Sequence, residues 1–148
     1  MKTRTKARSI ALQALYEIDL TGHPSFSALD HLLESEQEGS TISVFSRQIV
    51  NGVYPIMQQL DEIISKHAPE WPLDQVAVID RNILRIALWE FAVGEVTPIK
   101  VAINEAIELA KIYGSDSSSR FINGVLGSLA ENQHEIRQKL GKNRNELP

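Results

Sequence analysis

Residues 99–129 read IKVAINEAIELAKIYGSDSSSRFINGVLGSL, and this stretch decides the fold. It divides into two amphipathic helices around a polar turn. Thr97 and Pro98 open the first, because threonine can cap a helix and proline suits its first position. Ile99, Ala102, Ile103, Ala106, Leu109 and Ala110 then recur at helical spacing. Gly114 closes this helix at a place where a left-handed residue costs little. Ser115 and Asp116 are candidate caps for the second helix, whose apolar face is Phe121, Ile122, Val125, Leu126 and Leu129. Gly124 and Gly127 on that helix would admit a neighbouring helix at close range.

The same periodicity extends outward. Ala7, Ile10, Ala11, Ala14, Leu15 and Ile18 form an apolar stripe over a helix from about Thr5 to Leu20, stopped by Gly22 and Pro24. A second helix starts near Ser25 and carries Phe26, Leu29, Leu32 and Leu33. Residues 34–41, ESEQEGST, form a surface loop. A long helical pattern from Ile42 to about Lys66 is interrupted by Gly52 and Pro55, which predicts a kink or break. Pro69 and Pro72 enforce an irregular connection around Trp71, which is expected over a helix end. Asp80 is a candidate cap for a helix over 81–92, with Trp89 in or beside the core, and Gly94 ends it. Beyond Asn132 the pattern fades to Ile136 and Leu140, which predicts a frayed tail over about 135–148. Strand signals are weak throughout, and the fold class is all-α, one domain over 1–148 with about seven helices.

The chain has 148 residues and no cysteine, so disulfides and thiolate chemistry are excluded. No apolar run approaches the ~20 residues of a membrane span, and the expected location is the cytoplasm. The net charge of −4 is unevenly distributed: residues 1–8 carry Lys2, Arg4, Lys6 and Arg8 with no acid. Residues 9–136 hold seven basic against eighteen acidic side chains, and 137–148 are again basic. An acidic body repels a polyanion, so nucleic-acid contact should concentrate at the ends. Terminal charge by itself fits a solvated tail equally well.

No catalytic constellation is present, and the chain is expected not to be an enzyme. His23, His31, His67 and His134 are scattered, and no two of them have metal-helix spacing. Glu105 and Glu108 share a helix face but have no imidazole nearby, and read as solvated charges. Ser117, Ser118 and Ser119 are turn and cap residues without an identifiable base. Neither a metal nor a cofactor is expected.

Three stretches carry a resemblance to a known family. VAINEAIELAK at 101–111, followed by the GSDS turn and FINGVLGSL at 121–129, is similar to the NusB family of bacterial transcription antitermination factors. ARSIALQALYEIDL at 7–20 and VIDRNILRIALWEF at 78–91 match in the same order. The resemblance implies two three-helix bundles packed across each other. It also implies binding of boxA RNA from ribosomal RNA transcripts, jointly with the ribosomal protein NusE, and action on RNA polymerase with other Nus factors.

By position, the resemblance implies that the RNA-binding residues are Lys2, Arg4, Lys6, Arg8, Tyr113, Ser117 and Phe121. Thr3, Thr5 and Lys6 interrupt the arginine run usual in the family, and Ser117 stands where related sequences often carry an acid. Tyr16 and Asp80 fall at positions implied to meet the ribosomal partner. Two other readings stay open. One is the helical RNA-binding module at the front of some ribosomal RNA cytosine methyltransferases, disfavoured because no cofactor-binding domain follows. The other is a helical homodimer with no RNA role, which would leave the basic head unexplained.

Overall fold

The computed structural model describes residues 2–22, 27–69 and 72–145, with side chains to Gly141. The expectations for His23, Pro24, Ser25, Phe26 and Trp71 lie outside the described residues. Eight α-helices are present among the described residues: α1 Thr3–Thr21, α2 Ser27–Leu32, α3 Thr41–Val53, α4 Met57–His67, α5 Val78–Leu88, α6 Ile99–Tyr113, α7 Ser118–Glu131 and α8 Gln133–Asn145. Among those residues no strand occurs, and no helix is long and apolar enough to cross a membrane.

The first bundle is α1, α2 and α3, with α1 lying along α3. The second is α5, α6 and α7 in mutual contact, with α4 against α5 and α7. The two meet where α1 crosses onto α5. Leu12, Leu15, Ile49, Ile83, Leu84, Leu88, Leu109 and Leu126 belong to one continuous buried cluster running through both. Burial of such side chains, at about 1.5–3 kcal/mol each, is the main force holding helices that would be marginal alone.

Helix ends follow local chemistry. The Ser40 side chain accepts the Ser43 N–H at 3.2 Å and starts α3. Gly22, at φ +71°, ends α1 with its N–H on the Ile18 carbonyl. The break expected near Pro55 is a 3₁₀ turn at Tyr54–Ile56 between α3 and α4, because proline cannot donate to the ladder.

Several expectations are corrected. Gly52 does not break α3; it makes room for Trp89, whose indole ring a Cβ at Gly52 would overlap. Gly94 approaches the same ring, which a Cβ there would meet at 2.8 Å. α5 does not end at Gly94 as an ordinary α-turn. It widens into a π-turn over Trp89–Val93, with the Gly94 N–H on the Trp89 carbonyl at 2.8 Å. Trp89 and Glu90 are both buried by that turn. Gly114 is extended (φ −89°, ψ −175°), not left-handed. Glycine is required there by close approach, since a Cβ would sit 2.5 Å from Ser118 and 2.8 Å from the Ala110 carbonyl oxygen. Among the described residues no helix packs closely on Gly124 or Gly127; added Cβ atoms would meet none of them within 4 Å. The expected frayed tail is helical to Asn145, because Ile136 and Leu140 are buried and Arg137 donates to the Phe91 carbonyl at 2.9 and 3.0 Å.

The glycine clamp on Trp89 yields a prediction. Gly52→Ala should destabilise by about 1–3 kcal/mol through overpacking. Most of that penalty should vanish in a Trp89→Phe background. Urea denaturation of the two singles and the double checks this as a coupling energy.

Candidate RNA and partner interface

The basic head divides on folding. α1 begins at Thr3, so Lys2 is its N-cap residue and Arg4, Lys6 and Arg8 stand on its first two turns. Lys2 and Arg4 are exposed, and the Arg4 guanidinium lies 4.4 Å over the centre of the Phe45 ring. That cation–π contact anchors the exposed Arg4 guanidinium on the ring. Lys6 forms an ion pair with Glu36 at 2.9 Å.

Arg8 is a correction. It is 3% exposed, and its Nε and Nη2 donate to the Glu90 carboxylate at 2.7–3.0 Å. Thr97 Oγ1 also donates to Glu90 at 2.7 Å, so Thr97 serves this network and does not cap α6. Glu105 lies 3.6 Å from Arg8 and accepts from Thr5 Oγ1 at 2.9 Å. Glu105 is therefore a tether to α1, not a solvated charge. Nothing of the Arg8 fork remains for a phosphate.

The remaining candidate residues sort into two recesses. Tyr113 is half-buried, and its hydroxyl hydrogen-bonds Ser9 Oγ and accepts from Gln13 Nε2 at 3.2 Å. Its ring shares an apolar groove with Tyr16, Leu20, Ala28, Leu32 and Ile79, between α1, α2 and the start of α5. Tyr16 and Leu20 remain exposed there. Ser117, Phe121 and Asp80 lie instead in a second recess with Gln75, Val76, Ala77, Ser115 and Arg120. Tyr113 and Phe121 thus bracket the turn in sequence but face different recesses. Asp80, implied like Tyr16 to meet the ribosomal partner, lines the recess of Ser117 and Phe121 and not the Tyr16 groove.

The turn is built by serine. Ser118 Oγ accepts the Ser115 N–H at 2.9 Å and donates to Asp80 Oδ2 at 3.0 Å. Ser117 occupies the N-cap position without a side-chain cap bond, so neither Ser115 nor Asp116 caps α7. Asp80 is not a cap either: α5 begins two residues earlier, after Ala77. Asp80 is 7% exposed, and its Oδ1 has no hydrogen-bond partner among the described residues. Burial pushes its carboxyl above the ordinary aspartate range, opposed by the Ser118 hydroxyl.

The head and the turn are not one patch. Thr5 meets Glu105, whereas Ser9 and Gln13 meet Tyr113. Eight residues of α6 separate those contacts, about 12 Å at 1.5 Å per residue.

Sequence reasoning missed a second charged network. Arg81 donates twice to Asp19 at 2.8 Å, and Arg85 reaches Asp19 at 2.9 Å and Asp61 twice at 2.7 Å. Asn82 Nδ2 adds a bond to Asp19 at 3.0 Å. Burial raises the Asp19 carboxyl, but Arg81, Arg85 and Asn82 together hold it below its ordinary value. The available signal was five polar side chains, Asp19, Asp61, Arg81, Asn82 and Arg85, on amphipathic helices.

Each network can be tested through stability. Arg8→Ala should cost about 3–5 kcal/mol, because it leaves Glu90 charged and unpaired in the interior. Arg4→Ala should stay within about 0.5 kcal/mol. Thermal or urea unfolding separates them. On pH, the folded pKa of Asp19 lies below the unfolded value. Its stabilisation is therefore complete above about pH 3.9 and is lost as pH falls through the lower folded value. Asp19→Asn should flatten that acid limb in urea midpoints measured from about pH 6 down to about 2.5, while lowering stability at neutral pH.

The comparisons with known proteins agree with this architecture. The model of the NusB family matches residues 5–131. The transcription antitermination protein NusB of Roseiflexus castenholzii is 47% identical over 134 residues, spanning 89% of this chain and 94% of that protein. The structure of Thermotoga maritima NusB superposes with a TM-score of 0.80 at 29% identity, covering 91% of this chain and 96% of that one. A complex of NusB and NusE with double-stranded RNA contains a chain of the same fold, with a TM-score of 0.76 at 23% identity and coverage of 94% and 98%. A family match over most of the chain, a relative sharing nearly half its residues, and a helical fold superposing over nine-tenths of its length together establish that this protein belongs to the NusB family.

Proposed function

We propose that this protein is a transcription antitermination factor that binds boxA RNA jointly with NusE and acts through the other Nus factors on RNA polymerase. The observation that carries the reading is the placement of exposed cations on an acidic chain. Lys2 and Arg4 project from the start of α1, and Arg120 stands beside Ser115, Ser117 and Phe121 at the start of α7. Cations, hydroxyls, the open N–H groups of a helix terminus and an aromatic ring are the means by which single-stranded RNA is held. The serine at position 117 adds no charge to repel a phosphate.

The groove around Tyr16, Leu20 and Tyr113 takes the partner. It is mostly apolar with a few polar tips, as partner surfaces are, and it lies apart from the exposed cations. Support for the assignment comes from the relatives, which carry the antitermination name, and from the NusB chain found with NusE and RNA.

The test is binding of boxA RNA and a scrambled control, with and without NusE. Binding is expected to be sequence-dependent and tightened by NusE; equal affinity for both RNAs in both conditions would overturn the reading. Replacing Lys2, Arg4 and Lys6 together by Ala should weaken binding and leave the fold intact. It should also flatten the salt dependence by about 0.7 in log–log slope for each phosphate no longer neutralised. Ser117→Asp should weaken binding most at low salt, where repulsion reaches furthest.

A further inference from the structure

Arg8 is committed to the interior, and Lys2 and Arg4 are exposed. Lys6 stands between these cases. Its Nζ lies 2.9 Å from Glu36 Oε1, and the two ends of the pair differ in exposure, at 49% for the Lys6 side chain and 16% for that of Glu36. Glu36 belongs to the loop over 34–41, between α2 and α3, and is its inward acid; Glu34 and Glu38 are exposed. A tight turn holds it there. Its N–H donates to the carbonyl of buried Leu33 at 2.9 Å, and the Ser40 N–H closes on the Gln37 carbonyl at 3.1 Å. The acid is therefore placed by the backbone, whereas the cation rides on a flexible four-carbon stem.

We infer that Glu36 is an autoinhibitory acid of the RNA-binding head: it neutralises Lys6 in the free protein, and an RNA phosphate must take Lys6 from it. This rests on the RNA-binding reading above and adds to it a residue that sets the affinity. Lysine suits such an exchange. Its ammonium is a point charge with rotatable donors and can turn from one oxygen to another, whereas the Arg8 fork is fixed by its bonds to Glu90. The exchange has a cost. Glu36 keeps little hydration, so losing Lys6 leaves a carboxylate short of both water and a cation. That carboxylate then also stands beside the incoming phosphate.

The cost falls on a phosphate contact, and phosphate contacts carry no sequence information. It therefore lowers binding to every RNA alike and leaves the ratio between sequences unchanged. Its use is to hold sequence-independent binding down, so that a strand stays on the protein only when contacts elsewhere add to those of the head.

The test is a double-mutant cycle on the full chain with NusE, at low salt, using boxA RNA and the scrambled control. Glu36→Gln keeps the shape of the side chain and removes its charge. It should tighten binding of both RNAs by about three- to fivefold, the range of a partly exposed ion pair, with a urea midpoint close to that of wild type. Glu38→Gln removes the same charge from an exposed position of the same loop and should bind like wild type. In a Lys6→Ala background the gain from Glu36→Gln should fall below about twofold, because the two residues act as a pair. Unchanged RNA binding by folded Glu36→Gln protein would overturn the inference. So would an equal or larger gain without Lys6, which would make Glu36 a general repeller of RNA, or an equal gain from Glu38→Gln, which would make the effect one of net charge. In each of those cases the RNA-binding reading survives if replacing Lys2, Arg4 and Lys6 together still weakens binding. If the wild-type protein binds neither RNA, both fail together.

Discussion

The Arg8–Glu90 pair is the interaction on which the arrangement of the two bundles depends. Two charges with almost no solvent access stabilise only when fully bonded to each other, and here the fork, the carboxylate and the Thr97 hydroxyl meet that condition. The second network, Asp19 with Arg81, Asn82 and Arg85, lies eleven residues further along α1 and nine residues back from Glu90 to Arg81. The two networks therefore clamp an antiparallel helix pair at its two ends. Their polarity is reversed: α1 supplies the cation at one end and the anion at the other. A slip of α1 by one turn, or a reversed docking, would leave several charges unpaired in the interior. Apolar contacts alone penalise such errors far less, because Leu12 and Leu15 can find other alkyl neighbours.

That constraint also explains the split of the basic head. Placing Arg8 inside fixes the rotation of α1, and the rotation decides what the preceding turn presents. Arg4, one turn earlier, sits above the same Phe45 ring whose centre lies 5.2 Å from the Arg8 guanidinium. Lys2 lies at the helix start, outside the packed region. The four basic residues thus form a series from solvent to core. Only the outer members can exchange water for phosphate; the innermost has already exchanged it for Glu90.

The elements were legible in the sequence because apolar spacing encodes burial directly. The stripes of α1, α6 and α7 and the break at Pro55 needed nothing else. Glycine was harder. Gly52, Gly94 and Gly114 read as stop signals, yet each is fixed by a close approach: two by the Trp89 ring, one by the Ser118 side chain. The Trp89 contact with Gly52 joins distant parts of the chain and leaves no local trace. The Gly114–Ser118 contact is local, but it depends on how the turn folds back. The candidate site was legible as a set of residues and not as a grouping. Arg8 reads like Arg4 in sequence; only the position of Glu90, 82 residues away, distinguishes them. Likewise Asp80 reads as a cap, and its place beside Phe121 comes from the packing of α5 on α7.

The separation of head and turn bears on why a second protein would be needed. About 12 Å lies between the Thr5–Glu105 and Tyr113 contacts along α6, more than the Debye length of about 8 Å at physiological salt. The two exposed cationic regions stand on different helices, the head at the start of α1 and Arg120 in the first turn of α7. Between them and around them the chain is acidic, with eighteen carboxylates against seven basic residues over 9–136. A strand held at one region gains from the other only through its own effective concentration there, which depends on the length and stiffness of the intervening nucleotides. A partner seated in the Tyr16 groove would stand beside the end of α1 and the start of α5, apart from the exposed cations of this chain. On the proposed function, a partner that contributes further cations along the strand's path would raise RNA affinity by linking the two regions.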